Sequence, residues 1–150
     1  MSSLKAFEVA VDLAQRQRDA ARQALKDAQG ARQAAQAQLS QLTGYAAETQ
    51  GRWGAKTGGA MQPEVMFHHY QFMGRLDHAI GLQNGVVSGQ DARVDRARQA
   101  LLQAELRLAS LRKVLERRRT ELALQQQRRD QKQTDERASL RVNRPQDQEH

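Results

Sequence analysis

Met66, Met73, Ile80, Val87, Val94, Leu101, Leu108, Leu115 and Leu122 recur at every seventh position without a break. Three residues after these come Leu76, Ala97, Ala104 and Leu111, with His69, Gln83, Gln90 and Arg118 as polar exceptions. A hydrophobic period of 3.5 residues underwinds the ideal α-helix and requires a second helix, supercoiled left-handedly against the first. The feature therefore predicts a long helix over about residues 63–142 that cannot bury its stripe alone.

The first third of the chain carries a matching stripe. Spacings of three and four pick out Leu4, Phe7, Val11, Ala14, Arg18, Ala21, Leu25, Ala28, Arg32, Ala35, Leu39, Leu42, Ala46, Thr49 and Trp53, and only Arg18, Arg32 and Thr49 break it. Its many alanines make a thin seam: axes approach closely and each contact buries little area. The stretch TQGRWGAKTGGAMQPE, residues 49–64, follows with four glycines and Pro63. Glycine costs about 1 kcal/mol per helical position relative to alanine, so the first helix is expected over about 2–50 and a hinge over 51–62. Pro63 suits the first turn of a new helix, where its missing N–H is not needed. The expected fold is all-α: a long antiparallel two-helix coiled-coil hairpin over residues 1–142, with an overhanging C-terminal helix and a disordered tail at 143–150.

At 1.5 Å per residue the two helices would measure roughly 75 Å and 115 Å. A hinge near residue 57 sets residues opposite one another when their numbers add to about 114, so residues beyond about 112 would have no helix to lean on. Arg18 would then lie near position 96, within reach of Asp95 or Asp91.

Composition narrows the function. Cysteine is absent, which removes disulfides, thiolate zinc sites and cysteine nucleophiles, and fits a reducing compartment. No apolar run approaches the roughly 20 residues that span a bilayer. Glu8 and Asp12 interrupt the N-terminal apolar stretch, against a signal peptide. The reading is a soluble, cytoplasmic rod. Its net charge of +7 is concentrated late: residues 112–141 hold ten Lys/Arg against five Asp/Glu. An acidic partner would engage that end first.

No catalytic, cofactor or metal site emerges. His68 and His69 are adjacent and point about 100° apart on a helix, unlike an i, i+4 metal pair; two exposed rings and one facing the seam is the plainer account, with His78 the third. GAKTGG lacks the spacing of a phosphate loop. Two helices form no pocket that excludes water, so an enzyme is disfavoured. The arginine-rich end could bind nucleic acid, yet acids interrupt the basic residues and no aromatic follows Phe72, leaving nothing to stack on bases. A solvated, salt-bridge-laced face is preferred there, with a nucleic-acid-binding basic coiled coil as the alternative. Near the hinge, Gln38, Leu42 and Tyr45 run i, i+4, i+7, as do Phe72, Leu76 and Ala79. The register above sets 38 against 76 and 42 against 72, with Tyr45 beside Phe72 on a half-exposed flank that suggests a partner.

Three stretches, LAQRQRDAARQAL, HHYQFMGRLDHAIGLQ and LERRRTELALQQQRRDQKQTDERA, resemble the flagellar export FliJ family, which includes central-stalk proteins of type III secretion. In the last, RDQKQTDERA is similar to the family's C-terminal E-x-K/R…D-E-x-A signature. The resemblance implies a non-enzymatic part of the bacterial flagellar type III export apparatus, cytoplasmic and peripherally associated with the inner membrane. Its implied partners are the hexameric export ATPase, which it enters and stimulates, the cytoplasmic domain of the membrane export gate, and export chaperones. It implies no cofactor, no transmembrane segment and no nucleic acid. The family's gate surface would fall on Gln38, Leu42, Tyr45, Phe72, Leu76 and Ala79; Thr49 and Gln83 lack the bulkier groups expected at its edge. The ATPase-ring surface would comprise Leu115, Arg117, Arg118, Arg119, Leu122, Arg128 and Arg129. A stalk protein of a non-flagellar type III system is the neighbouring reading.

Overall fold

The structure, a computed structural model, describes residues 2–56 and 62–143. Two long helices pack together as a coiled-coil hairpin: α1 spans Ser2–Lys56 and α2 spans Pro63–Val142. The start of α2 is set locally. The Gln62 carbonyl accepts from the N–H groups of Val65 and Met66 at 3.1 and 3.2 Å, so Gln62 closes the first turn and Pro63 stands where no N–H is required. Glu64 adds a favourable negative charge in that turn. At the other end the Asn143 N–H still donates to Ser139 at 3.0 Å. The tail expected to be disordered lies outside the described residues from 144 onward.

α1 runs six residues past its expected end, through Gly51 and Gly54. Glycine weakens a helix without forbidding it, and here side chains on the same turns compensate. Arg52 pairs with Glu48 one turn back. Trp53 stacks on His69 of α2, ring centroids 3.7 Å apart and planes within 4°. Of the expected hinge, residues 51–56 are therefore helix, and 57–61 lie outside the described residues.

Contacts group the chain into two units, one joining residues 1–17 with 105–150 and the other comprising 18–104. In both, the buried side chains divide unequally by size. α1 contributes Ala14, Ala28 and Ala35, whereas α2 contributes Leu76, Val87, Val94, Leu108 and Leu115. Small residues on one helix let large ones from the other reach its backbone, and a fully buried branched side chain contributes roughly 1.5–3 kcal/mol. The heptad positions are buried or half-buried along nearly all of both helices. The exceptions are Arg32, Met66, Arg118 and Leu122; at Arg32 the neighbouring Ala31 turns inward instead.

The register differs from the expected one. In the unit of residues 18–104, Arg32 Nε donates to Asp91 Oδ1 and Tyr45 meets Phe72, pairs whose numbers add to 123 and 117. The extension of α1 moves the turning point later in the chain, which raises these sums. Arg18 accordingly does not reach Asp95 or Asp91. It donates to its own neighbour Asp19 at 2.8 Å, while Asp91 serves Arg32. These two arginines are two heptads apart, about 21 Å along the axis, so one carboxylate cannot answer both.

Candidate docking surfaces

In the unit of residues 18–104, Phe72 in the third turn of α2 meets Tyr45 of α1 on one flank of the seam, each one place before a seam residue, Met73 and Ala46. The Tyr45 and Phe72 rings meet edge to face, centroids 6.0 Å apart at 84°. Tyr45 is 50% exposed and Phe72 38%. The pair is thus packed well enough to hold one orientation and still presents aromatic area to solvent. Leu76 is buried beneath them, Leu42 and Ala79 are half-buried, and Gln38 is exposed.

Gln38 does not face residue 76, as the expected register had it. Gln83 Nε2 donates to Gln38 Oε1 at 3.2 Å and to the Ala35 carbonyl at 2.9 Å. The carbonyl is reachable because Ala35 has no side chain long enough to shield it. Gln83 is therefore a cross-helix fastener that borders the aromatic pair, and Gln38, Gln41, Leu42, Tyr45 and Gln83 line one shallow depression. One heptad further on, the side-chain oxygen Gln90 Oε1 is buried with no hydrogen-bond partner. An unsatisfied buried acceptor costs on the order of 1–3 kcal/mol, which this layer bears among the described residues.

In the unit of residues 1–17 and 105–150, α1 covers α2 further along than the sequence suggested. Leu115 is only 7% exposed, beside Glu8, Val11 and Asp12. Its apolar surface belongs to the hairpin core and is not available to another protein. Arg118 lays its guanidinium over the Phe7 ring, 5.6 Å from the centroid. Arg119 Nη2 donates to Glu8 Oε1 at 3.2 Å. From Glu116 to Asn143 every residue is exposed. Leu122 and Leu124, at 44% and 46%, are the apolar groups nearest the covered stretch.

The charges of this exposed stretch are not laced together as expected. Gln126 and Gln131, not arginines, donate to Asp130 and Asp135, each at 3.2 Å and one turn away. Among the described residues Arg117, Arg128 and Arg129 have no ion-pair partner. Glutamine thus takes up these two carboxylates, and Arg117, Arg128 and Arg129 stay exposed without a direct acidic contact.

His69 is half-buried against Trp53 while His68 and His78 are exposed. Among the described residues no three His, Asp or Glu side chains are grouped to hold a metal ion. No described helix is long and apolar enough to cross a membrane.

A family model described as Flagellar FliJ protein matches residues 3–147. The chain belongs to the FliJ family. A solved structure described as a YscO homolog, CT670, from Chlamydia trachomatis shares the fold of this FliJ-family chain with a TM-score of 0.71. The two are 17% identical over 93% of this chain and 91% of that one. Among curated proteins no sequence matches this chain significantly.

Proposed function

We propose that this FliJ-family protein is a non-enzymatic, stalk-like component of the bacterial flagellar type III export apparatus, working in the cytoplasm at the inner membrane. Its α2 end enters the hexameric export ATPase ring and stimulates it. Its Tyr45–Phe72 flank contacts the cytoplasmic domain of the export gate, and the protein escorts export chaperones. One observation carries the reading: a helical segment from Glu116 onward that is wholly exposed and bears arginines, Arg117, Arg128 and Arg129 among them, with no ion-pair partner among the described residues. Such a segment offers a free, positively charged surface for another protein to sheathe. Arg117, Arg128 and Arg129 with Leu122 are its free groups, and Arg118 and Arg119 join Phe7 and Glu8 at the base. Leu115 is left out of the contact because it is already covered.

The test is ATPase stimulation by the full chain and by a chain ended after Leu115. The shortened protein should keep its coiled-coil helicity and lose stimulation; full stimulation would remove the assignment. For the gate, Tyr45→Ala with Phe72→Ala should weaken capture of the isolated gate domain with circular dichroism unchanged. A nucleic-acid-binding coil is the competing reading, supported by the unpaired arginines alone. It would show itself as duplex binding that falls steeply with salt.

A further inference from the structure

In the unit of residues 18–104, α2 is apolar on two sides. One is the seam with α1. The other is a row one flank away: Phe72, Ala79, Leu82 and Val86, separated by seven, three and four residues. Leu82 is 62% exposed, Val86 46% and Phe72 38%. Single exposed leucines are ordinary, but a row at coiled-coil spacing is a seam without its helix. α1 already occupies the first seam and touches this row only at its near end, where Phe72 meets Tyr45; Leu82 and Val86 stay open. The same alternation of three and four continues through Arg75, between Phe72 and Ala79, and reaches Arg93 at the far end. Neither arginine has an ion-pair partner among the described residues.

We propose that this row docks an amphipathic helix from another protein, with apolar residues at spacings of three and four and acidic residues on its flanks. The charge complement selects the occupant. Arg75 and Arg93 stand 18 residues apart, about 27 Å along the axis, so a helix of about five turns reaches both. A docked segment with carboxylates at those two places gains charge-assisted bonds and is held in position along the row by them. A second copy of the chain is a poor match, because the row's only charged residues are arginines; row against row, two copies would bring no carboxylate to either. The mode is helix-in-groove recognition, with Leu82 and Val86 as anchors. It rests on the proposed gate contact in that Phe72 and Ala79 belong to both, while Leu82 and Val86 lie outside the gate patch.

The probe is a synthetic helical peptide of about 21 residues, leucines at spacings of three and four and glutamates on both flanks, binding to the full chain by fluorescence anisotropy. Its control carries lysine for every glutamate. The acidic peptide should bind at least about tenfold more tightly than the lysine peptide, a difference of about 1.4 kcal/mol. Leu82→Glu with Val86→Glu, both at exposed positions, should remove that advantage with helicity retained. Arg75→Glu with Arg93→Glu should reverse the preference toward the lysine peptide. Equal binding of the two peptides would overturn the proposal. Undiminished binding to the Leu82→Glu, Val86→Glu chain would also do so, since the peptide would then sit on the C-terminal arginines. So would self-association in sedimentation that this variant abolishes. Capture of the gate domain separates the two readings: peptide binding without gate capture refutes the gate contact alone, and gate capture untouched by Leu82→Glu and Val86→Glu, with no peptide bound, refutes the docked helix alone.

Discussion

Gln83 crosses the seam to hydrogen-bond the backbone carbonyl of Ala35. A side chain that grips backbone on the facing helix specifies where the two helices stop sliding, as a buried polar residue does in other coiled coils, at a cost in stability. Gln83→Leu should therefore raise the melting temperature and loosen the register. Spin labels at Ser40 and Arg75, measured by electron-electron distance spectroscopy, should show a broader distribution in the variant. An unchanged width would mean that apolar packing alone sets the register.

Arg32 and Asp91 make an exposed pair, each about half accessible. Its contribution should be modest, about 0.2–1 kcal/mol. Arg32→Glu should lower stability and Asp91→Arg should restore part of the loss, giving a coupling above zero in a double-mutant cycle from urea melts. Arg18→Glu with Asp95→Arg should be additive, because Arg18 is bonded to Asp19.

Ala28 is fully inaccessible. Ala28→Leu should destabilise the hairpin by about 1–3 kcal/mol through overpacking. Leu108, at 2% exposure, should fail in the opposite sense: Leu108→Ala should cost about 2–5 kcal/mol by leaving a void. Denaturant midpoints at constant m-value would check both.

Trp53 lies against His69 at the last turn of α1. Trp53→Ala should lose about 0.5–1.5 kcal/mol beyond the area it buries. Amide exchange should then rise at Gly51 and Arg52 while staying unchanged near Ala28; a uniform rise would show that the stack does not hold this turn.

The seam could be read from the sequence almost position by position, from Leu4 to Trp53 and from Met73 to Leu115, since a 3.5-residue period is a property of each helix on its own. Pro63 likewise marked a helix start through its own covalent chemistry. What depended on the facing chain was not legible. Gly51 and Gly54 pointed to a break, and a tertiary stack on His69 overrode them. That displaced the turning point, and with it the partners of Arg18 and Gln38. Leu115 and Leu122 are identical letters at identical heptad positions, yet one is covered and the other is open, because the period says nothing about where a neighbour ceases. The Tyr45–Phe72 contact was anticipated because each residue sits one place before a seam residue, Ala46 and Met73, and such flanking positions meet in any antiparallel pairing of roughly this offset. The row through Leu82 and Val86 was overlooked, although its three-and-four spacing is visible in the sequence.

The unequal division of bulk across the interface has an evolutionary corollary. A narrow strand of alanines tolerates replacement only by residues of similar girth, whereas the facing leucines and valines tolerate any branched aliphatic of similar volume. What the seam must inherit is then a profile of sizes, and outward positions away from the docking surfaces can drift widely. Two chains can therefore share a backbone path at 17% identity.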